Sequence, residues 1–179
     1  MRAFARVTLA FALLVTLPFV AHGADLAPGD KAPDFSLQST DGKAVKLADF
    51  VGKRGFVLAW FPKAFTGGCT EELKSFGDPD AQAALARYDV AVYMVSFDPP
   101  DKNADFAKSL GAKLPLLSDT KGDVANAFGN SALGGAYAKR WTYYVDKDGV
   151  VRFIDKDVKT ASAAKDIAGK LEQLGFPQK

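Results

Sequence analysis

Two apolar runs set the limits on what this chain can fold into. Gly55-Phe-Val-Leu-Ala-Trp-Phe61 and Val90-Ala-Val-Tyr-Met-Val-Ser-Phe97 are almost free of polar side chains, and strands that read this way are covered on both faces. Between them, residues 69–76 and 79–88 are rich in helix formers and are separated by the break at Gly77-Asp78. Ala81, Ala84, Leu85 and Tyr88 fall at helical spacing. Strands alternating with helices predict an α/β fold with a mixed central sheet flanked by helices.

The remaining segments fit around that centre. Residues 34–38 and 43–47 alternate apolar and polar across Asp41-Gly42, which predicts an N-terminal β-hairpin. Residues 101–110 read as a helix with Phe106 and Leu110 on one face and Gly111 as its left-handed cap. Residues 114–117 read as a short strand, where Pro115 argues for a sheet edge or a strand start. Residues 122–128 predict a short helix, and 141–145 and 150–154 a hairpin turning at Lys147-Asp-Gly149. Thr160 is the expected cap of a last amphipathic helix through Ile167, Leu171 and Leu174.

The N-terminal residues predict export. Arg2 and Arg6 precede an apolar run from Val7 to Val20, and Ala21-His-Gly23 supplies small residues for cleavage, the pattern of a secretory signal peptide over residues 1–23. The run is shorter than the roughly 20 residues that span a bilayer and contains Pro18, so no membrane anchor is expected after cleavage. Residues 24–179 are long enough for one domain with a real core. Their charge balances at 21 basic and 21 acidic residues, which gives no attraction for nucleic acid or an anionic membrane.

Cleavage also removes His22, the only histidine, and leaves one cysteine. Ser-His-Asp and Cys-His catalysis are thereby excluded, no metal site is expected, and no glycine-rich loop points to a nucleotide cofactor. That cysteine, Cys69, follows Gly67-Gly68 and precedes Glu71 and Glu72. A buried strand stopped by Pro62, then a loop, then a helix would deliver its sulfur to a helix N-terminus, where free N–H groups favour the thiolate that attacks electrophiles. The glycines let the backbone approach a small substrate. Two nearby carboxylates oppose a thiolate, so a compensating cation is required, and composition does not say which Lys or Arg supplies it.

Pro62, Thr66 and Cys69 match the Pro-x-x-x-Thr-x-x-Cys motif of peroxiredoxins. The flanking text, Ala32-Pro-Asp-Phe-Ser-Leu37, Cys69-Thr-x-Glu72, Pro115-Leu-Leu-Ser-Asp119 and Val145-Asp-Lys-Asp-Gly149, resembles the bacterioferritin comigratory protein (peroxiredoxin Q) branch. The resemblance implies a thioredoxin-like fold and reduction of hydroperoxides, with Cys69 as nucleophile and no cofactor. It offers Arg140 as the missing cation, Thr66 as a hydrogen-bonding partner of sulfur and substrate, Pro62 as a shield against water, and Glu72 as the residue that orients the arginine. Many branch members carry a resolving cysteine five residues after the first, where this chain has Lys74. The resemblance therefore supports a one-cysteine mechanism with an external thiol, thioredoxin-like, glutaredoxin-like or of low molecular weight, working as a monomer or weak dimer in the bacterial periplasm.

Other readings of the same residues are a peroxide sensor that stores one oxidation without turnover, a disulfide oxidoreductase, and a copper-delivery protein. The second needs a Cys-x-x-Cys pair and the third more thiols and a histidine, and both are absent. Trp60, Phe61 and Phe65 fit either a substrate pocket or the core.

Overall fold

The computed structural model describes residues 26–179, so the signal segment expected over residues 1–23 lies outside the described residues. In chain order the elements are β1 (Ser36–Ser39), β2 (Ala44–Lys46), β3 (Gly55–Trp60), α1 (Gly67–Ser75), α2 (Pro79–Ala86), β4 (Val90–Ser96) and α3 (Pro100–Ser109). There follow β5 (Leu116–Ser118), α4 (Asp123–Ala127), β6 (Ser131–Ala132), β7 (Tyr137–Ala138), β8 (Thr142–Val145), β9 (Val151–Asp155) and α5 (Ala163–Gln173). Seven strands form one mixed sheet in the order β2-β1-β5-β4-β3-β8-β9, parallel through β5-β4-β3 and antiparallel at both flanks.

The apolar run that becomes β3 explains the layering. Alternate side chains point to opposite faces, so Phe56, Leu58 and Trp60 join Phe35, Phe50, Phe128 and Tyr143 on one side. Val57, Ala59 and Phe61 join Cys69, Leu73, Met94, Phe106, Ile167 and Leu171 on the other. Helices α1, α2, α3 and α5 supply the second layer. The sulfur therefore belongs to a packed face.

Three local expectations are corrected. Pro115 precedes β5 rather than sitting in it, and β5 is an interior strand paired to both β1 and β4, so the edge option fails and the strand-start option stands. Thr160 does not cap α5: it opens a 3-10 turn (Thr160–Ser162), and its hydroxyl is donated to Glu71 on α1. The small hairpin of β6 and β7 was not expected at all, because Gly134 and Gly135 dominate its sequence and its two-residue strands carry no alternation worth reading. Gly111 does end α3 as a left-handed cap, with φ of 60°, and the amides of Gly111 and Ala112 bond back to the carbonyls of Lys108 and Ala107.

Candidate active site

Strand pairing assembles the site. The antiparallel register sets Ala59 opposite Thr142, and Trp60 N–H donates to the Trp141 carbonyl at 2.9 Å. Arg140, one residue earlier, is thus carried to the end of β3, where the chain turns at Pro62 toward α1. Cys69 is the third residue of that helix and is wholly buried.

The guanidinium joins two acidic groups. Arg140 Nη2 donates to Cys69 Sγ at 3.2 Å, and Nη1 donates to Glu72 Oε2. Glu72 lies one helical turn after Cys69 on the same inward face and is 0% exposed, while its Oε1 has no partner. Burial, only partly offset by Arg140, pushes the Glu72 carboxyl up to about 7. For Arg140, burial pulls downward, but the acidic neighbours Glu72 and Cys69 prevail and hold it charged. The cation that the sequence required is present, and it touches the sulfur.

Gly68 makes that approach possible. A β-carbon built there would stand 3.3 Å from Arg140 Nη2 and 3.7 Å from Thr160 Cγ2. Such a position is tighter than ordinary contact on the guanidinium side.

The loop before α1 is held by its own contacts. Thr66 occupies the N-cap position with extended backbone, but its hydroxyl donates to the Lys63 carbonyl at 2.9 Å rather than bonding the sulfur. Pro62 is half-buried and lines a small cleft with Lys63, Phe97, Asp98 and Tyr137. Phe65 is in the left-handed region at φ 64°, an arrangement that costs a non-glycine residue about 1–3 kcal/mol. Two contacts offset that strain: the adjacent Ala64 N–H donates to the buried Asp98 carboxylate at 2.7 Å, and the Phe65 ring packs on Phe106. Trp60 and Phe61 are fully buried, whereas Phe65 is 54% exposed. The aromatics thus divide, with two in the core and one at the loop surface.

Cys69, Arg140, Glu72 and Gly68 converge, while Thr66 and Pro62 share the loop without bonding the sulfur. Sequence reasoning missed Asp98, because an aspartate after a strand and before Pro99-Pro100 reads as ordinary turn chemistry. It also grouped Glu71 with Glu72, although one points outward to Thr160 and the other inward to Arg140. Among the described residues no group of three or more His, Cys, Asp or Glu is placed to hold a metal ion, and no helix is long and apolar enough to cross a membrane.

Comparison with known proteins agrees on one family. The model of the AhpC/TSA family matches residues 28–154. Peroxiredoxin Bcp of Escherichia coli is 36% identical over 143 residues, covering 76% of this chain and 90% of that protein. Alkyl hydroperoxide reductase E of Mycobacterium bovis is 34% identical over 129 residues, covering 71% of this chain and 83% of its own. The crystal structure of peroxidoxin BcpB from Mycobacterium tuberculosis superposes with a TM-score of 0.71 at 32% identity, covering 84% of this chain and 97% of that one.

Proposed function

The chain belongs to the AhpC/TSA family, and on that footing we propose that it is a one-cysteine peroxidase in which Cys69 reduces hydrogen peroxide and organic hydroperoxides and an external thiol restores it. The observation that carries this reading is the Arg140 guanidinium at 3.2 Å from the sulfur with Glu72 behind it. A fixed cation beside a thiol favours the thiolate and stands ready for charge that develops during reaction. The thioredoxin-like scaffold holds both parts rigidly.

In the proposed step the Cys69 sulfur donates an electron pair to the terminal peroxide oxygen, the O–O bond breaks, and the departing oxygen leaves as alkoxide or hydroxide. Arg140 and the free N–H groups of the α1 N-terminus stabilise that oxygen until water protonates it. The product is Cys69 sulfenic acid. Thr66 and Pro62 shape the loop that admits the peroxide. No second cysteine exists in the chain, so the sulfenic acid condenses with an external thiol to a mixed disulfide and water, and a second thiol releases Cys69. The pattern over residues 1–23 supports export, and we place this cycle in the bacterial periplasm.

The complete burial of Cys69 favours one second reading, a sensor whose oxidised sulfur is sheltered from reductants. Intact-mass measurement separates the two. One equivalent of hydrogen peroxide should add a single oxygen, and a small thiol should then remove it; an oxygen that the thiol never removes supports the sensor.

A further test concerns Gly68. Alanine there suits a helix better than glycine by roughly 0.5–1 kcal/mol, yet its methyl group would press on Arg140. Gly68→Ala should therefore lower the second-order rate constant with peroxide by about tenfold, a modest misplacement effect. Its melting temperature should stay level or rise. Unchanged rates would mean that the Arg140 position matters little.

A further inference from the structure

The loop that leads to Cys69 is anchored from outside itself. Strands β3 and β4 run parallel with Trp60 beside Val95, and Phe61 N–H donates to the Val95 carbonyl at 2.9 Å. Both chains therefore leave the sheet at the same end and side by side, β3 into the active-site loop and β4 into the turn before α3. Just past those ends Ala64 and Asp98 meet, and Ala64 N–H donates to Asp98 Oδ2 at 2.7 Å.

Asp98 is 7% exposed, and both of its carboxylate oxygens are occupied. Oδ1 accepts from Lys102 Nζ at 2.5 Å. The Ser96 hydroxyl hydrogen is shared between Asp98 Oδ2 at 3.1 Å and Asn103 Oδ1 at 3.2 Å, and Asp98 N–H donates back to Ser96 Oγ at 3.2 Å. Asn103, wholly buried on α3, donates through Nδ2 to Ser118 Oγ at 3.0 Å and to the Leu117 carbonyl at 3.3 Å, both on β5. The carboxylate is thus fixed by a network built on β4, α3 and β5, and a satisfied buried network makes rigid what it holds. It meets the active-site loop at the Ala64 amide.

That amide stands one residue before Phe65, whose φ of 64° a non-glycine residue keeps only where its surroundings enforce it. Thr66, the N-cap of α1, follows at once, and Thr70 N–H donates to its carbonyl at 2.8 Å. The turn at Phe65 thus sets where α1 begins, and with it where Cys69 lies against Arg140. Without the bond to Asp98, Phe65 is free to return to negative φ and the chain enters α1 from another direction.

We propose that Asp98 is a positioning residue for the peroxide reaction: through Ala64 it holds the strained turn that sets the first turn of α1, and so Cys69, against Arg140. This role rests on the peroxidase reading above. What acts on the loop is the acceptor oxygen of Asp98, while its charge and its pairing with Lys102 contribute to stability.

The test compares Lys102→Met/Asp98→Asn with Lys102→Met/Asp98→Ala. Both lack the ion pair and the negative charge, and they differ in whether an oxygen remains to accept from Ala64. With Lys102 gone, no cation draws the asparagine oxygen away from that amide. The rate constant with hydrogen peroxide and the hydrogen exchange of the Ala64 amide are measured in the full chain, with urea unfolding to show that each variant is folded. The asparagine variant should stay within threefold of the unaltered protein. The alanine variant should be about ten- to a hundredfold slower, the scale of a misplacement of up to about 1 Å. Its Ala64 amide should exchange at least about tenfold faster, while Val57 and Ala59 in β3 keep their protection. A merely structural role would not give this pattern, because lower global stability quickens the exchange of core amides as well. Equal rates in the two folded variants would overturn the proposal. Should the alanine variant not fold, Ser96→Ala decides: it removes the hydroxyl that steadies Oδ2, and it should slow the reaction about threefold and quicken Ala64 exchange. Unchanged values there would overturn the proposal and leave the peroxidase reading intact. An unaltered protein that reacts with peroxide no faster than a free thiol would remove the peroxidase reading and this role with it.

Discussion

Arg140→Met should lower the rate constant of Cys69 with hydrogen peroxide by about a hundred- to a thousandfold, the usual loss when one preorganised donor to a developing oxyanion is removed. The same change strands Glu72, which is 0% exposed and has no other partner. Breaking a buried pair from one side costs about 3–5 kcal/mol. Loss of activity could then reflect loss of folding, and the double variant Arg140→Met/Glu72→Gln separates the two. It should regain most of the stability and none of the rate. Arg140→Lys should also be poor, since a point charge on a flexible stem does not replace a fork that holds Cys69 and Glu72 at once. A rate within threefold of the unaltered protein in Arg140→Met would contradict the proposed role.

The second large effect is on stability against pH. The Glu72 carboxyl is pushed up to about 7 from an ordinary 4.5, chiefly by burial. Between those values the folded protein binds a proton that the unfolded chain has released, so the slope of unfolding free energy with pH is negative. The stabilisation associated with this group is fully present below about pH 4.5 and is lost as pH rises through about 7. At about 1.4 kcal/mol for each pH unit of displacement, the loss is roughly 3 kcal/mol. Urea unfolding at pH 5 and pH 8 should show it. Glu72→Gln, which cannot titrate, should flatten the profile relative to the unaltered protein and leave the contributions of other acids in place. An identical pH dependence in both proteins would show that Glu72 is ionised throughout.

These two residues also mark where sequence reasoning stops. The apolar runs at 55–61 and 90–97 become the central strands because their composition tolerates no exposed face, and the helix after Pro62 follows from local propensity. Cys69 at a helix N-terminus was readable for the same reason. Arg140 was not readable from local pattern: its approach to Cys69 depends on the register of β3 with β8, a pairing across more than 80 residues that nothing near Arg140 encodes. It was reached through resemblance, and so was Glu72, whose inward turn is set by helix phase against the Leu73 face. Thr160 shows the opposite error. Threonine before an amphipathic run is an ordinary cap signal, but tertiary contact with Glu71 claimed its hydroxyl. Thr66 is similar, since the Lys63 carbonyl inside its own loop holds the hydroxyl expected at the sulfur. Pro115 could be placed at a strand start from its missing N–H, yet whether that strand lay inside or at the edge was a matter of strand order. Asp98, which pins Ala64, carries no signal distinguishing it from a turn aspartate.

The most direct test follows peroxide loss over time with dithiothreitol in excess, in the purified protein and in Cys69→Ser. Sustained consumption of many equivalents per protein molecule, abolished by the serine substitution, is the expected result. Consumption that stops after one equivalent despite the thiol, or that persists without Cys69, would contradict it.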